Sequence, residues 1–155
     1  MRSTKTKTIA NILIILLKIS MIIGTVILLM LWKITDLLEI KFDLLVGLIY
    51  PSGILFLGFI YQFIKLFKQL KIEKPFTKET VRYLKTSMTL SFIIGFIILI
   101  ALLLSIIIYP TYTLTVKISL TFFSILFFGV GIALYLLSEL FKQATEYKEE
   151  NDLTI

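Results

Sequence analysis

The chain has 155 residues, of which 58% are hydrophobic and 17% charged, and it carries a net charge of +6. A soluble domain has about a quarter of its residues charged, so this chain has too little polar surface for a water-soluble globule and reads as a single membrane domain. It contains no Cys and no His, which excludes disulfides, thiolate chemistry, and Cys- or His-built metal sites; no catalytic residue, metal or cofactor is expected, and the composition points to a non-enzyme.

A bilayer core of about 30 Å needs roughly 20 apolar residues in a helix. The first such run is 9–32. It follows Arg2, Lys5 and Lys7, as a signal peptide would, but it is too long and no small-x-small cleavage site follows, so it is expected to stay as a span. The next runs are 44–64, 88–109 and 118–140. Near the start of the second, Tyr50-Pro51-Ser52-Gly53 predicts a bend or the beginning of regular helix, because proline removes a backbone donor. Continuous apolar runs predict helices rather than barrel strands. The expected fold is therefore all-α, an integral membrane four-helix bundle.

Orientation follows from the distribution of Lys and Arg. The middle loop, 65–87, holds Lys65, Lys68, Lys71, Lys74, Lys78, Arg82 and Lys85, against Glu73 and Glu79. The first turn sets Lys33 and Lys41 against Asp36, Glu39 and Asp43, and the last turn has Lys117 alone. Both termini and the middle loop are thus expected in the cytoplasm. Trp32, Tyr109 and Tyr112 would anchor the outer interface.

Two segments repeat. "KLFKQL" at 65–70 and "ELFKQA" at 139–144 each close an even-numbered span, with Tyr61 and Tyr135 placed alike before them. "ISMIIGTVILL" at 19–29 aligns with "LSFIIGFIILI" at 90–100, pairing Ser20 with Ser91 and Gly24 with Gly95. A duplication of two spans plus two would leave both copies in the same orientation, a parallel repeat. The matched small residues predict that spans one and three pack on each other across the repeat axis, with Gly129 and Ala133 offering a similar face on span four.

Lys18 is the charge well inside a span, and an intramembrane charge is a candidate functional site. Three arrangements are open to it: snorkelling to the headgroups, an ion pair with Glu139 at the end of span four, or lining a polar transport path. No carboxylate lies mid-span, which argues against proton-coupled antiport.

The polar segments have opposite signs. The basic loop is expected to meet anionic lipid headgroups, and the absence of any recognised module argues against direct nucleic-acid binding. Within it Thr77 is expected to be a helix N-cap, with Thr80 three residues on rather than the Glu of a capping box. The tail, 141–155, carries Lys142 and Lys148 against Glu146, Glu149, Glu150 and Asp152. Leu140, Phe141, Ala144 and Tyr147 recur at helical spacing, so span four should continue as helix to about Glu150, with an i,i+4 pair between Lys142 and Glu146 and a stop at Asn151. Anionic lipid repels such a tail, and the nearest opposite charge is the basic loop.

The loop "KPFTKETVRYLK", with Pro75 and Phe76, and the end "LFKQATEYKEENDLTI", with Glu150, Asn151, Asp152, Leu153, Thr154 and Ile155, resemble the bacterial "domain of unknown function" 2975 family of small four-span membrane proteins. Thr80 stands where such loops often carry Asn. The resemblance implies a frequent genetic neighbour, a small helix-turn-helix regulator, and it brings no catalytic residues. The expected function is that of a membrane accessory or regulatory protein working through cytoplasmic protein contacts at the loop and tail. A small transporter or channel subunit, or an immunity protein against a membrane-active peptide, are the alternatives, and a homo-oligomer is compatible with each.

Overall fold

The computed structural model of the chain describes residues 2–37, 44–72, 76–108 and 114–153. These form four α-helices: α1 (Arg2–Leu37), α2 (Leu44–Lys71), α3 (Lys78–Ile107) and α4 (Leu114–Leu153). All four are long and apolar enough to cross a membrane, and the chain is a multi-pass membrane protein. Trp32's side chain, Tyr109 and Tyr112 lie outside the described residues.

The helices run up and down, each antiparallel to the one before it. Gly24 faces Leu57 and Gly53 faces Leu28 across α1 and α2, while Gly58 faces Leu90 across α2 and α3. Helix backbones pack in chain order, α1 on α2, α2 on α3, and α3 on α4, and no other backbone pair meets among the described residues. Phe127 of α4 nevertheless reaches across to Phe56 and Phe59 of α2, with ring centroids 6.0 and 6.4 Å away. The start of α1, the end of α2, the start of α3 and the end of α4 therefore share one end of the molecule.

This order corrects the expectation that spans one and three pack on each other. α1 meets α2 alone, through Ala10, Ile14, Ile60 and Ile64 and a hydrogen bond from Tyr50 Oη to the Leu28 carbonyl (2.9 Å). The aligned small residues face their own hairpin partners. A methyl group at Gly24 would come within 3.1 Å of Leu57, and one at Gly95 within 3.4 Å of Phe128. Equivalent glycines thus do the same job in each hairpin, letting two backbones approach. The serines differ, because Ser20 is exposed whereas Ser91 is fully buried. α2 starts seven residues before Pro51, so proline lies within the helix and does not begin it.

The best-packed seam is α3 on α4. On α3, Thr80, Leu84, Ser87, Ser91, Ile94, Ala101 and Ser105 are buried, at alternating steps of three and four with one step skipped. On α4, Ser124, Gly131, Ser138 and Thr145 are buried every seventh residue, and Leu134 is buried between them. A strict seven-residue repeat keeps facing the partner only when the helices wind around each other left-handedly. Small side chains bring the backbones close enough for reciprocal hydrogen bonds: Ser91 Oγ donates to the Phe127 carbonyl at 2.7 Å, and Ser124 Oγ to the Gly95 carbonyl at 3.3 Å. Comparable bonds in membrane proteins contribute about 0.6 kcal/mol each. The small face expected at Gly129 and Ala133 is exposed, and Gly129 has nothing within 4 Å of where a side chain would begin.

Candidate functional site

The charged end of the molecule is built from the starts and ends of three helices. α3 begins at Thr77, whose extended backbone (φ −139°, ψ 154°) lets its hydroxyl accept the Thr80 N–H at 3.2 Å. That bond satisfies one of the four orphan amides of a helix start. The two threonine hydroxyls also lie 3.0 Å apart, and Thr80 is completely buried. The cap fixes where α3 starts, and hence where Lys78, Arg82 and Lys85 stand.

α4 continues past its apolar part without interruption as far as Leu153. The expected stop at Asn151 is corrected: Asn151, Asp152 and Leu153 are helical. The Lys142 to Glu146 pair (3.9 Å) and a bond from Thr145 Oγ1 to the Phe141 carbonyl (2.7 Å) sit within this segment. The buried small residues carry on through Ser138 and Thr145, so the seam with α3 holds the helix together beyond the lipid. Beyond Thr145 the turns are exposed, and the Lys78 to Glu149 contact (3.0 Å) ties them to α3.

Acidic tail and basic segment meet here. Lys78 Nζ lies 3.0 Å from Glu149 Oε2, and Lys85 Nζ 3.7 Å from Glu139 Oε1. Phe76, just before the cap, places its ring 5.4 Å from that of Phe141. The α2 end joins in, since Gln69 Nε2 donates to Glu79 Oε2 at 3.4 Å and Lys65 Nζ sits 4.5 Å from the Tyr61 ring and 5.7 Å from that of Tyr83. Both ion pairs are solvent-accessible, and such pairs contribute about 0–1 kcal/mol each. Their effect is to set the register of two helix ends already packed together. A groove of about 220 Å³ runs between α3 and α4, walled by Lys78, Lys85 and Lys142 on one hand and by Glu146 and Glu149 on the other.

The proposed pair of Lys18 with Glu139 does not form. α1 packs on α2 alone and does not meet α4, while Glu139 is engaged by Lys85. Lys18 is exposed on α1 and makes no ion pair among the described residues. Replacing it by Leu removes the cost of a charge in the membrane and breaks no contact. Lys18→Leu is therefore expected to leave the unfolding midpoint in mixed SDS micelles unchanged or raise it, and a clear drop would reveal a partner for the ammonium.

Among the other expected contact residues, Glu150 and Asn151 are exposed on the last turns of α4. Asp152 and Leu153 are described by their helical backbone, and Pro75, Thr154 and Ile155 lie outside the described residues. The exposed ring of Tyr147 and the pairing partners Lys78, Lys85 and Glu149 belong to this end but were not singled out as contact residues from the sequence. The signal was there for the pairing partners, as opposite charges on segments that the spans return to one side.

A second groove, open to the surface, lies along the apolar part and is about 260 Å³ in volume. Leu28, Ser52, Gly53, Phe56, Ile94 and Phe127 are among its walls, and none of its lining residues is charged.

The family model described as "Protein of unknown function (DUF2975)" matches residues 41–155. That stretch covers α2, α3 and α4 and leaves α1 outside. No curated protein and no solved structure matches the chain.

Proposed function

The chain belongs to the DUF2975 family, whose description carries no activity, and on that premise we propose that it is a non-enzymatic accessory or regulatory protein of the bacterial cytoplasmic membrane. Its N- and C-termini lie in the cytoplasm, and it works by holding a cytoplasmic protein at the α3–α4 end. The observation that carries this reading is the continuation of α4 beyond its apolar part as an ordered helix seated on α3. Tyr147, exposed at 68% on that helix, stands among Glu146, Lys148 and Glu150. An exposed aromatic ring within a rim of mixed charge is the composition of a protein-contact surface. A small helix-turn-helix regulator encoded nearby is the first partner to test.

The test compares the full-length chain with one lacking 151–155, both in the same detergent, for binding to that regulator. The deletion is expected to weaken capture by more than about tenfold, the loss of a contact near 1.4 kcal/mol, while membrane insertion and the unfolding midpoint stay as they were. Capture unchanged by the deletion removes the tail from the reading. Tyr147→Ala is expected to weaken capture by a similar factor.

A further inference from the structure

We propose that the outward face of α3 at Arg82, Lys85 and Thr86 is a headgroup site for an anionic phospholipid, and that Glu139 of α4 competes with the lipid for Lys85. Three observations carry it, and none depends on the protein-contact reading.

The first is depth. α3 ends at Ile107, and a core of about 30 Å takes roughly 20 helical residues, so the opposite edge of the core lies near Ser87. At about 1.5 Å per residue, Lys85 stands about 3 Å and Arg82 about 8 Å outside that edge. The headgroup layer is about 5–7 Å thick on each side, and long basic side chains bend toward it. Both cations therefore address the phosphate layer itself.

The second is what the neighbouring helices leave open. α3 turns Glu79, Tyr83 and Leu90 toward α2, and Phe92 and Phe96 toward α4. Arg82 and Thr89 are exposed. With Lys78, Lys85 and Thr86 they line an open groove of about 480 Å³ that has no carboxylate in its walls.

The third is how the cations are used. Lys65 lies against two tyrosine rings, Lys78 is held by Glu149 and Lys85 by Glu139, while Arg82 makes no ion pair among the described residues. Guanidinium is the side chain whose planar fork matches a phosphate. The 3.7 Å contact of Lys85 with Glu139 is the longer of the two ion pairs between α3 and α4, and it lies nearer the lipid, so it is the one a phosphate displaces.

The full-length chain is reconstituted in vesicles of equimolar phosphatidylglycerol and phosphatidylcholine and released into mild detergent, and the retained lipids are counted by native mass spectrometry. Wild type is expected to retain phosphatidylglycerol over phosphatidylcholine. One basic residue at the membrane surface contributes enough to change such a ratio by about fivefold. Arg82→Ala and the length-preserving Arg82→Gln are both expected to lower the ratio by that factor with an unchanged unfolding midpoint. Glu139→Gln is expected to raise it by freeing Lys85. Lys71→Ala, which removes an exposed cation at the end of α2, is expected to leave it as in wild type. A wild-type ratio in both Arg82 variants overturns the site, and so does an equal fall in Lys71→Ala, which would mean net charge alone. Loss of the bound lipid in millimolar inorganic phosphate, to the extent seen in Arg82→Ala, assigns the face to a soluble anion and overturns the lipid.

Discussion

Gly131→Leu is expected to destabilise the protein by about 2–3 kcal/mol, the cost of overpacking a close helix contact, read as a lower midpoint of unfolding in mixed SDS micelles. The reason lies in the α3–α4 seam. A methyl group at Gly131 would already come within 3.0–3.1 Å of three atoms of the Phe92 ring. A leucine has to push Phe92 aside or part the helices. Parting them lengthens the Ser91 and Ser124 bonds, at 2.7 and 3.3 Å, across the same seam. The comparison that makes the test sharp is two residues away. Gly129 has nothing within 4 Å, so Gly129→Leu adds a lipid-facing side chain and a better helix former, and is expected not to lower the midpoint. Equal effects at the two positions would mean that the seam does not run through Gly131.

The second large effect is all-or-none. The chain contains no Cys, so a single introduced thiol reports one position. Lys33, exposed near the end of α1, and Tyr147, exposed near the end of α4, lie at opposite ends of the molecule. In intact cells a membrane-impermeant maleimide is expected to label Lys33→Cys and to reach Tyr147→Cys only after the membrane is opened. Seven Lys and Arg side chains lie between Lys65 and Lys85, against two in the first turn, and cytoplasmic loops carry that excess. The reverse labelling would put the charged end outside the cell and end the proposal of a cytoplasmic partner.

Element by element, the sequence spoke clearly where water was the contrast and poorly where lipid was. Four apolar runs led to four helices, although most of the expected loop 65–87 is helical, with α2 running to Lys71 and α3 starting at Lys78. Thr77 led to the start of α3, because a cap is a local arrangement of a hydroxyl and an amide. The meeting of the acidic tail with the basic segment was likewise legible, since up-and-down spans return both to one end. The packed face of α4 was not. In a soluble helix the buried side is the apolar side, but lipid is as apolar as Leu, and Phe122, Ile125 and Leu136 are exposed while Ser124, Ser138 and Thr145 are buried. Gly129 and Ala133 looked like a contact face because they are small and four apart. The informative pattern was Ser124, Gly131, Ser138 and Thr145 at intervals of seven, matched on α3 by Thr80, Ser87, Ile94 and Ala101. The cross-repeat packing of spans one and three failed for another reason. Similar sequences in two hairpins say that each hairpin is built alike, and they leave open which hairpin face meets the other. Lys18 was separated from Glu139 by that same geometry, because a partner on α4 lies beyond the reach of a helix that packs on α2.

The unbroken run of α4 from Leu114 to Leu153 has a mechanical consequence. Leu140 to Leu153 is about 20 Å of helix at 1.5 Å per residue, braced along part of its length by α3. A flexible tether of the same number of residues would let a captured molecule sample a hemisphere of positions over the bilayer. A braced rod instead fixes its height and its bearing. Any tilt of α4 within the bilayer swings the far tip of this rod through a proportionate arc.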